Sequence, residues 1–233
     1  MTPEKTLAFL LVVFVSHAAQ ADTKSESWKI LSERNGVTLS QPREPGSFAV
    51  PSRGETVIEA PLFDVLAVIQ DVPRHVDWRP RCTESRTVPE PGGAPLVYSR
   101  SAGSWPVADR DSVVRSELSS KQWGHDARVS FDSVDSRMAP PVDGVVRTPF
   151  VTGHYALEAV GTERTRVAYQ IGIDIGGWVP GFVTQFVSED MPIDTLVNLR
   201  SQVQRTRGEY RDLVALWEGL DALPEARTPQ TAP

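Results

Sequence analysis

Hydrophobic and polar positions change their rhythm twice along this chain. Before residue 60, short apolar runs are broken by turn residues. Trp28 to Leu31 and Val37 to Leu39 flank Asn35-Gly36, and Thr56 to Glu59 follows. Asn-Gly between two such runs is a tight-turn signal, so the pattern predicts a hairpin and a further strand. Pro61 then opens a helix to about Ile69, with Leu62, Val65, Leu66 and Ile69 on one face. A proline in the first turn of a helix sacrifices no hydrogen bond. Asp71-Val72-Pro73 ends that helix, and a short helical turn is expected around Arg74 to Trp78.

From Cys82 to Asp174 the period is two. Leu96, Tyr98 and Arg100 alternate with Val97 and Ser99, and Val113, Arg115 and Glu117 with Ser112, Val114 and Ser116. Val129 and Phe131 repeat the pattern, as do Val151, Gly153, Tyr155 and Leu157. The cleanest run is Arg166 to Asp174, where Val167, Tyr169, Ile171 and Ile173 share one side. Successive strand side chains face opposite ways, so these are half-polar strands of an antiparallel sheet. After Gly176-Gly177 the spacing turns helical. Phe182, Val183, Phe186 and Val187 follow Pro180, and Ile193, Leu196, Val197, Val203, Tyr210, Leu213, Val214 and Trp217 continue the pattern. One long amphipathic element from about Pro180 to Leu220 is expected, with a restart or kink at Pro192. Strands between an early short helix and a long terminal one indicate an α+β fold, with helices on one face of a curved sheet.

Residues 1–21 read as an address rather than as structure. Lys5, the apolar run Leu7 to Val15 and the small residues ending at Ala21 follow the order of a secretory signal peptide. Cleavage is expected before Asp22, giving a periplasmic or secreted protein; an uncleaved anchor is the alternative. The apolar run is shorter than the roughly 20 residues a membrane span needs. Residues 22–220 form one expected domain, and 221–233 an expected disordered tail with almost nothing to bury.

Composition narrows the function classes. The net charge of −6 argues against nucleic acid as a partner and against tight electrostatic docking on anionic membranes. The single cysteine, Cys82, excludes an internal disulfide and reads as a passive half-buried thiol. His75, His125 and His154 form no pair at metal-ligand spacing, and no phosphate-cradling glycine loop or Gly-x-Ser-x-Gly elbow occurs. No cofactor or metal is expected.

Four segments carry a family resemblance. They are Trp28 with Asn35-Gly36-Val37, then Asp71-Val72-Pro73-Arg74-His75-Val76-Asp77-Trp78, then Trp105-Pro106-Val107-Ala108-Asp109-Arg110-Asp111, and last Asp174-Ile175-Gly176-Gly177-Trp178-Val179-Pro180. In this order they resemble the START (steroidogenic acute regulatory protein-related lipid transfer) domain family over about Trp28 to Leu216. The resemblance implies a helix-grip fold, a curved antiparallel sheet wrapped around a long C-terminal helix with an internal apolar cavity. It also implies binding, with or without transfer, of a lipid, sterol-like or other apolar small molecule, without catalysis. A monomer with transient membrane contact is expected, Trp178 and Val179 standing near the entrance.

A usable pocket needs apolar walls and one or two polar groups to fix a head group. The candidate walls are Tyr98, Val113, Phe131, Tyr155, Tyr169 and Ile171 from the sheet, and Phe182, Val183, Phe186, Leu196 and Val197 from the helix; an ordinary solid core is the competing reading of each. Arg115 is the sharpest polar candidate, because several START proteins carry a cavity arginine on the strand after the Arg-Asp pair. The interval from Arg110 to Arg115 is one residue short of that pattern, which reverses its facing and leaves a surface position open. Arg100 and Arg147 are weaker candidates. Asp109, Arg110 and Asp111 are expected to form surface pairs or turn bonds. The competing function is a helix-grip cyclase or hydrolase, using His154 or Tyr155 with Asp132 or Asp174. A third reading is an interaction protein with a filled core.

Overall fold

The computed structural model describes residues 28–43, 51–177 and 179–221. Residues 1–21, read above as a leader, most of the expected tail and Trp178 lie outside the described residues. The chain starts with β1 (Trp28–Arg34) and β2 (Val37–Pro42), joined at Asn35-Gly36 with both turn residues at positive φ, as the hairpin signal requires. Then come β3 (Ser52–Ile58) and helix α1 (Leu62–Gln70), which Pro61 precedes directly. A 3₁₀ turn, Val72–Asp77, follows at the segment read as a short helical turn.

The period-two region forms β4 (Cys82–Val88), β5 (Leu96–Ser101), β6 (Asp109–Ser119), β7 (Asp126–Ser133), β8 (Val145–Arg147), β9 (Phe150–Ala159) and β10 (Thr165–Asp174). The strand order is β1-β2-β3-β10-β9-β7-β6-β5-β4. Every neighbour in that path is antiparallel; the short β8 runs parallel to β6 at its edge. Pairing of β3 with β10 joins the N-terminal hairpin to the last strand, so the curved sheet wraps around the C-terminal helical segment.

That segment is not one helix. It divides into α2 (Gly181–Gln185), a π-helical turn (Phe186–Asp190), α3 (Met191–Arg205) and α4 (Arg211–Asp221). Pro192 lacks an N–H and its ring crowds the carbonyl of residue 188, so the wider π turn precedes it. The second break lies at 206–210. Thr206 Oγ1 donates back to the Gln202 carbonyl at 2.9 Å, and Gly208 adopts φ +78° where a helix cannot continue. The apolar spacing runs through this break, which is why periodicity alone joins the two helices.

The main core lies between the sheet's inner face and the helices. Leu196, Leu199 and Val203 of α3 meet Val37, Leu39, Val167 and Leu157 there. Phe63 of α1, Trp123 and Trp217 of α4 form an aromatic cluster, with ring centroids 5.2 to 6.2 Å apart. The cluster from Asp71 to Trp78 ties the loop after α1 to the α3–α4 turn. Tyr210 donates its hydroxyl to Asp71 at 2.8 Å, while Arg74 pairs with Asp77 and Glu209. A smaller core, Val88, Leu96, Tyr98, Val113 and Ala139, sits apart from the main one.

Candidate ligand-binding site

A cavity of about 290 Å³ lies between the inner face of the sheet and the α2–α3 segment. Tyr169, Ile171 and Ile173 are alternate residues of β10, so all three point inward, and Ile175 extends the row past the strand end. Phe182, Val183, Phe186 and Val187 close the other side. Gly176 and Gly177, at φ +63° and +67°, make the reversal that brings the helical segment back over β10.

The remaining wall is polar. Ser99 and Ser101 of β5, Ser112 of β6, Thr148 and Thr195 contribute hydroxyls. Three arginines also line the space, Arg79, Arg81 and Arg110. Arg81, at φ +59°, is the most committed. Its Nε donates to Ala102 O at 2.8 Å, and its Nη2 donates to Gly103 O at 2.9 Å and Ser104 Oγ at 2.7 Å. Its guanidinium also lies 5.8 Å from the Phe186 ring, so it links the 102–104 rim to the helical side. Arg110 reaches Gly176 O at 3.5 Å through Nη2, while its Nε is buried without a partner among the described residues.

Arg79 lies deep, yet its side chain keeps accessible surface, because that surface opens onto the cavity rather than onto bulk solvent. Burial alone would lower its pKa, but the neighbouring Tyr155, Tyr169 and Cys82 outweigh burial and raise it. Tyr155 and Tyr169 stack at 4.6 Å, and burial pushes both phenols up, so both remain protonated at neutral pH. Tyr155 Oη is buried and, among the described residues, has no hydrogen-bond partner within 3.5 Å. His75 stands behind this group. Burial, and secondarily Arg79, hold its imidazole down to about 3. Neutral His75 donates Nε2–H to Ile69 O at 2.9 Å, leaving Nδ1 to accept from Ser85 Oγ at 3.4 Å. Burial also raises the Cys82 thiol, which donates weakly to Glu84 O.

Asp111 borders the same space and is 2 % exposed. Arg147 holds it with two bonds, Nε to Oδ1 at 2.7 Å and Nη2 to Oδ2 at 3.1 Å. This corrects the expectation of a surface pair or turn bond for Asp111; Asp109 does make a turn bond, accepting from Gly103 N–H at 2.9 Å. The short β8 lies along β6 in register Asp111–Arg147 and covers the carboxylate.

Of the candidates read from sequence, Tyr169, Ile171, Phe182, Val183 and Phe186 line the cavity, and Leu196 is core. Phe131 and Tyr155 belong to the core behind Tyr169, with ring centroids 6.3 and 4.6 Å from it. Val197 is half-buried on α3 and packs against the core without reaching the cavity. Tyr98, Val113 and Arg115 require correction as wall residues. On β5 and β6 the inward residues are Ser99, Ser101, Arg110 and Ser112, so Tyr98, Val113 and Arg115 project to the opposite face. There Tyr98 and Val113 join the smaller core, and Arg115 is exposed. Arg100 bonds the Tyr98 hydroxyl at 3.3 Å on that face. Arg79 and Arg81 were missed, although Arg79-Pro80-Arg81 directly follows the Asp71 to Trp78 segment. No apolar period marks a loop arginine as inward.

His154, paired in register with Gln170 and Ser130, shares the outer face with Arg128 and Arg53. Asp132, also on β7, accepts a hydrogen bond from Thr152 there. Neither lines the cavity. A wider concavity of about 600 Å³ between Ser136, Arg137, Pro140, Pro141 and Arg147 is an open surface trough.

The START domain family model matches residues 16–208. The chain belongs to the START domain family. An uncharacterised protein of Pseudomonas aeruginosa is 27 % identical over 181 residues, 78 % of this chain and 89 % of that protein. A crystal structure of a STAR-related lipid transfer protein fragment from Xanthomonas axonopodis superposes with a TM-score of 0.66 at 26 % identity, covering 76 % of this chain and 98 % of that one. The Zhui aromatase/cyclase of a Streptomyces species shares the fold with a TM-score of 0.51 at 14 % identity, over 68 % of this chain and 96 % of that one.

Proposed function

We propose that this START domain binds and carries a lipid or other apolar small molecule in the cavity, without chemical change to it. The observation that supports this most directly is the row Tyr169, Ile171, Ile173 and Ile175 facing Phe182, Val183, Phe186 and Val187 across an enclosed space. Removing about 300 Å² of apolar ligand surface from water contributes roughly 7–8 kcal/mol, on the order of a micromolar Kd before association costs. Binding of that kind needs no catalytic group. The lipid transfer protein of Xanthomonas axonopodis supports the carrier role by analogy. The fold shared with an aromatase/cyclase is the specific observation favouring an enzyme as the second reading. In that case Tyr169 and Arg79 are among the polar groups in reach of a substrate, and His154 is not.

Export follows in the same proposal from the leader-like residues 1–21. The mouth also suits a carrier that visits membranes. Trp105, 93 % exposed, stands on the loop whose Ala102, Gly103, Ser104 and Val107 form the rim, and Phe182 of α2 is 54 % exposed opposite it.

The test is native mass spectrometry of purified protein, paired with binding of a lipid panel by wild type and Ile173→Trp. Ile173 is half-buried in the cavity wall, so an indole there fills the space with little strain on the core. The expected result is lipid bound to wild type and lost from Ile173→Trp at unchanged circular dichroism. Ligand uptake unaffected by Ile173→Trp would sink the cavity assignment, and turnover of a bound lipid would favour the enzyme.

A further inference from the structure

We infer that the cargo is a single-chain amphiphile with an oxyanion head, seated on Arg79 at the inner end of the cavity with its chain toward Phe182 and Phe186. This rests on the carrier reading and specifies the chemistry of its ligand.

The argument begins with an uncompensated charge. A guanidinium stays charged in any protein environment, and burying one without a counter-charge is costly. Within 3.5 Å, the Arg79 guanidinium makes one hydrogen bond among the described residues, Nη1 to Ser99 Oγ at the limiting 3.5 Å, and the neutral Tyr169 hydroxyl is its other polar neighbour. It has no carboxylate partner among the described residues. The acid bordering the cavity, Asp111, is already held at both oxygens by Arg147. The groups around Arg79 are neutral: His75 is held unprotonated, and Tyr155 and Tyr169 are held as phenols. The protein as a whole carries −6, so a cavity lined by three arginines is a local arrangement and not a reflection of composition.

The donors present match an oxyanion. Arg79 offers a planar fork suited to a carboxylate or phosphate, and the Ser99 and Tyr169 hydroxyls line the same space. A sterol hydroxyl or an ester carbonyl would leave the guanidinium charge unbalanced. The volume, about 290 Å³, is at the lower end of the about 300–1,000 Å³ spanned by small-molecule pockets. It suits one chain and not the pair of chains of a diacyl lipid.

The test compares four probes on the full protein by calorimetry: dodecanoate, dodecyl phosphate, dodecan-1-ol and a diacyl phosphatidylcholine in vesicles. Wild type should bind one or both oxyanion probes about ten- to a hundred-fold more tightly than the alcohol, the ratio expected of a charge-assisted bond. The better of the two oxyanions identifies the head group. Arg79→Gln should collapse that ratio toward one, Arg79→Lys should keep part of it, and Arg115→Gln, exposed on the opposite face of the sheet, should keep it. Equal affinity for acid and alcohol, a ratio that survives Arg79→Gln, or a preference for the diacyl lipid would overturn the inference while leaving the carrier intact. Failure of all four probes, and of the wider lipid panel, would remove the carrier reading itself. If Arg79→Gln does not fold, the wild-type ratio and the Arg79→Lys variant still decide.

Discussion

At the residue scale, the decisive feature is which way a strand side chain points. Asp111 and Arg110 are neighbours, yet one is locked under β8 by Arg147 and the other lines the cavity with an Nε unpartnered among the described residues. Removing one partner of a buried pair leaves the other uncompensated. Arg147→Met should therefore cost about 3 kcal/mol, the low end of the range for buried pairs, since the Arg147 side chain is 23 % exposed. Urea unfolding monitored by fluorescence measures it, and a loss of under half that value would show the pair to be dispensable. Titration provides a second residue-scale prediction. His75 is held at about 3 and His154 at about 4, against an ordinary 6.5. Between those values the unfolded chain binds more protons than the folded one. Stability from these groups is thus complete above about pH 6.5 and falls as the pH drops toward the folded values. The slope from His75 approaches about 1.4 kcal/mol per pH unit well inside that window. Urea midpoints measured from pH 7 down to about pH 4 should decline, and His75→Gln should flatten the decline. A slope identical in wild type and variant would contradict the assignment.

At the element scale, the C-terminal segment shows how far apolar spacing carries. Phe182 to Trp217 keep a helical rhythm across two interruptions, because buried positions must face the same core whatever the backbone does between them. The π turn before Pro192 and the stop at Gly208 are backbone events that spacing does not register. The last helix nevertheless has its own anchor. Trp217, 2 % exposed, packs on Phe63, while Trp123 Nε1 donates to the Trp217 carbonyl at 2.8 Å. Trp217→Ala should cost about 3–5 kcal/mol through the cavity it leaves. Hydrogen exchange should show the loss concentrated in α4 and α1; uniform loss across the sheet would mean that the helix is not anchored separately.

At the scale of the whole molecule, function depends on a gap. α3 is held against β2, β3 and β10 by its own apolar face, while α2 and the π turn stand off from the end of β10. The rim loop and α2 then expose Trp105 and Phe182 beside the opening. Trp105→Ser should slow lipid transfer between vesicles several-fold while leaving equilibrium binding in place, because this ring stands at the interface and not around the cargo. A dye-quenching transfer assay reads the rate. Transfer at the wild-type rate would place the membrane-facing surface elsewhere.

The α+β class, the strand-rich middle, the helix after Pro61 and the family were all legible in the sequence, because period, turn residues and four ordered segments are local properties of the chain. The facing of β5 and β6 was not legible, since alternation defines two faces without saying which is inside; Tyr98, Val113 and Arg115 therefore fell on the wrong one. The inward turn of Arg79 and the burial of Asp111 were decided only when strands far apart in the chain closed on one another. Charge pairing and empty volume are relations between segments, and no single stretch of residues contains them.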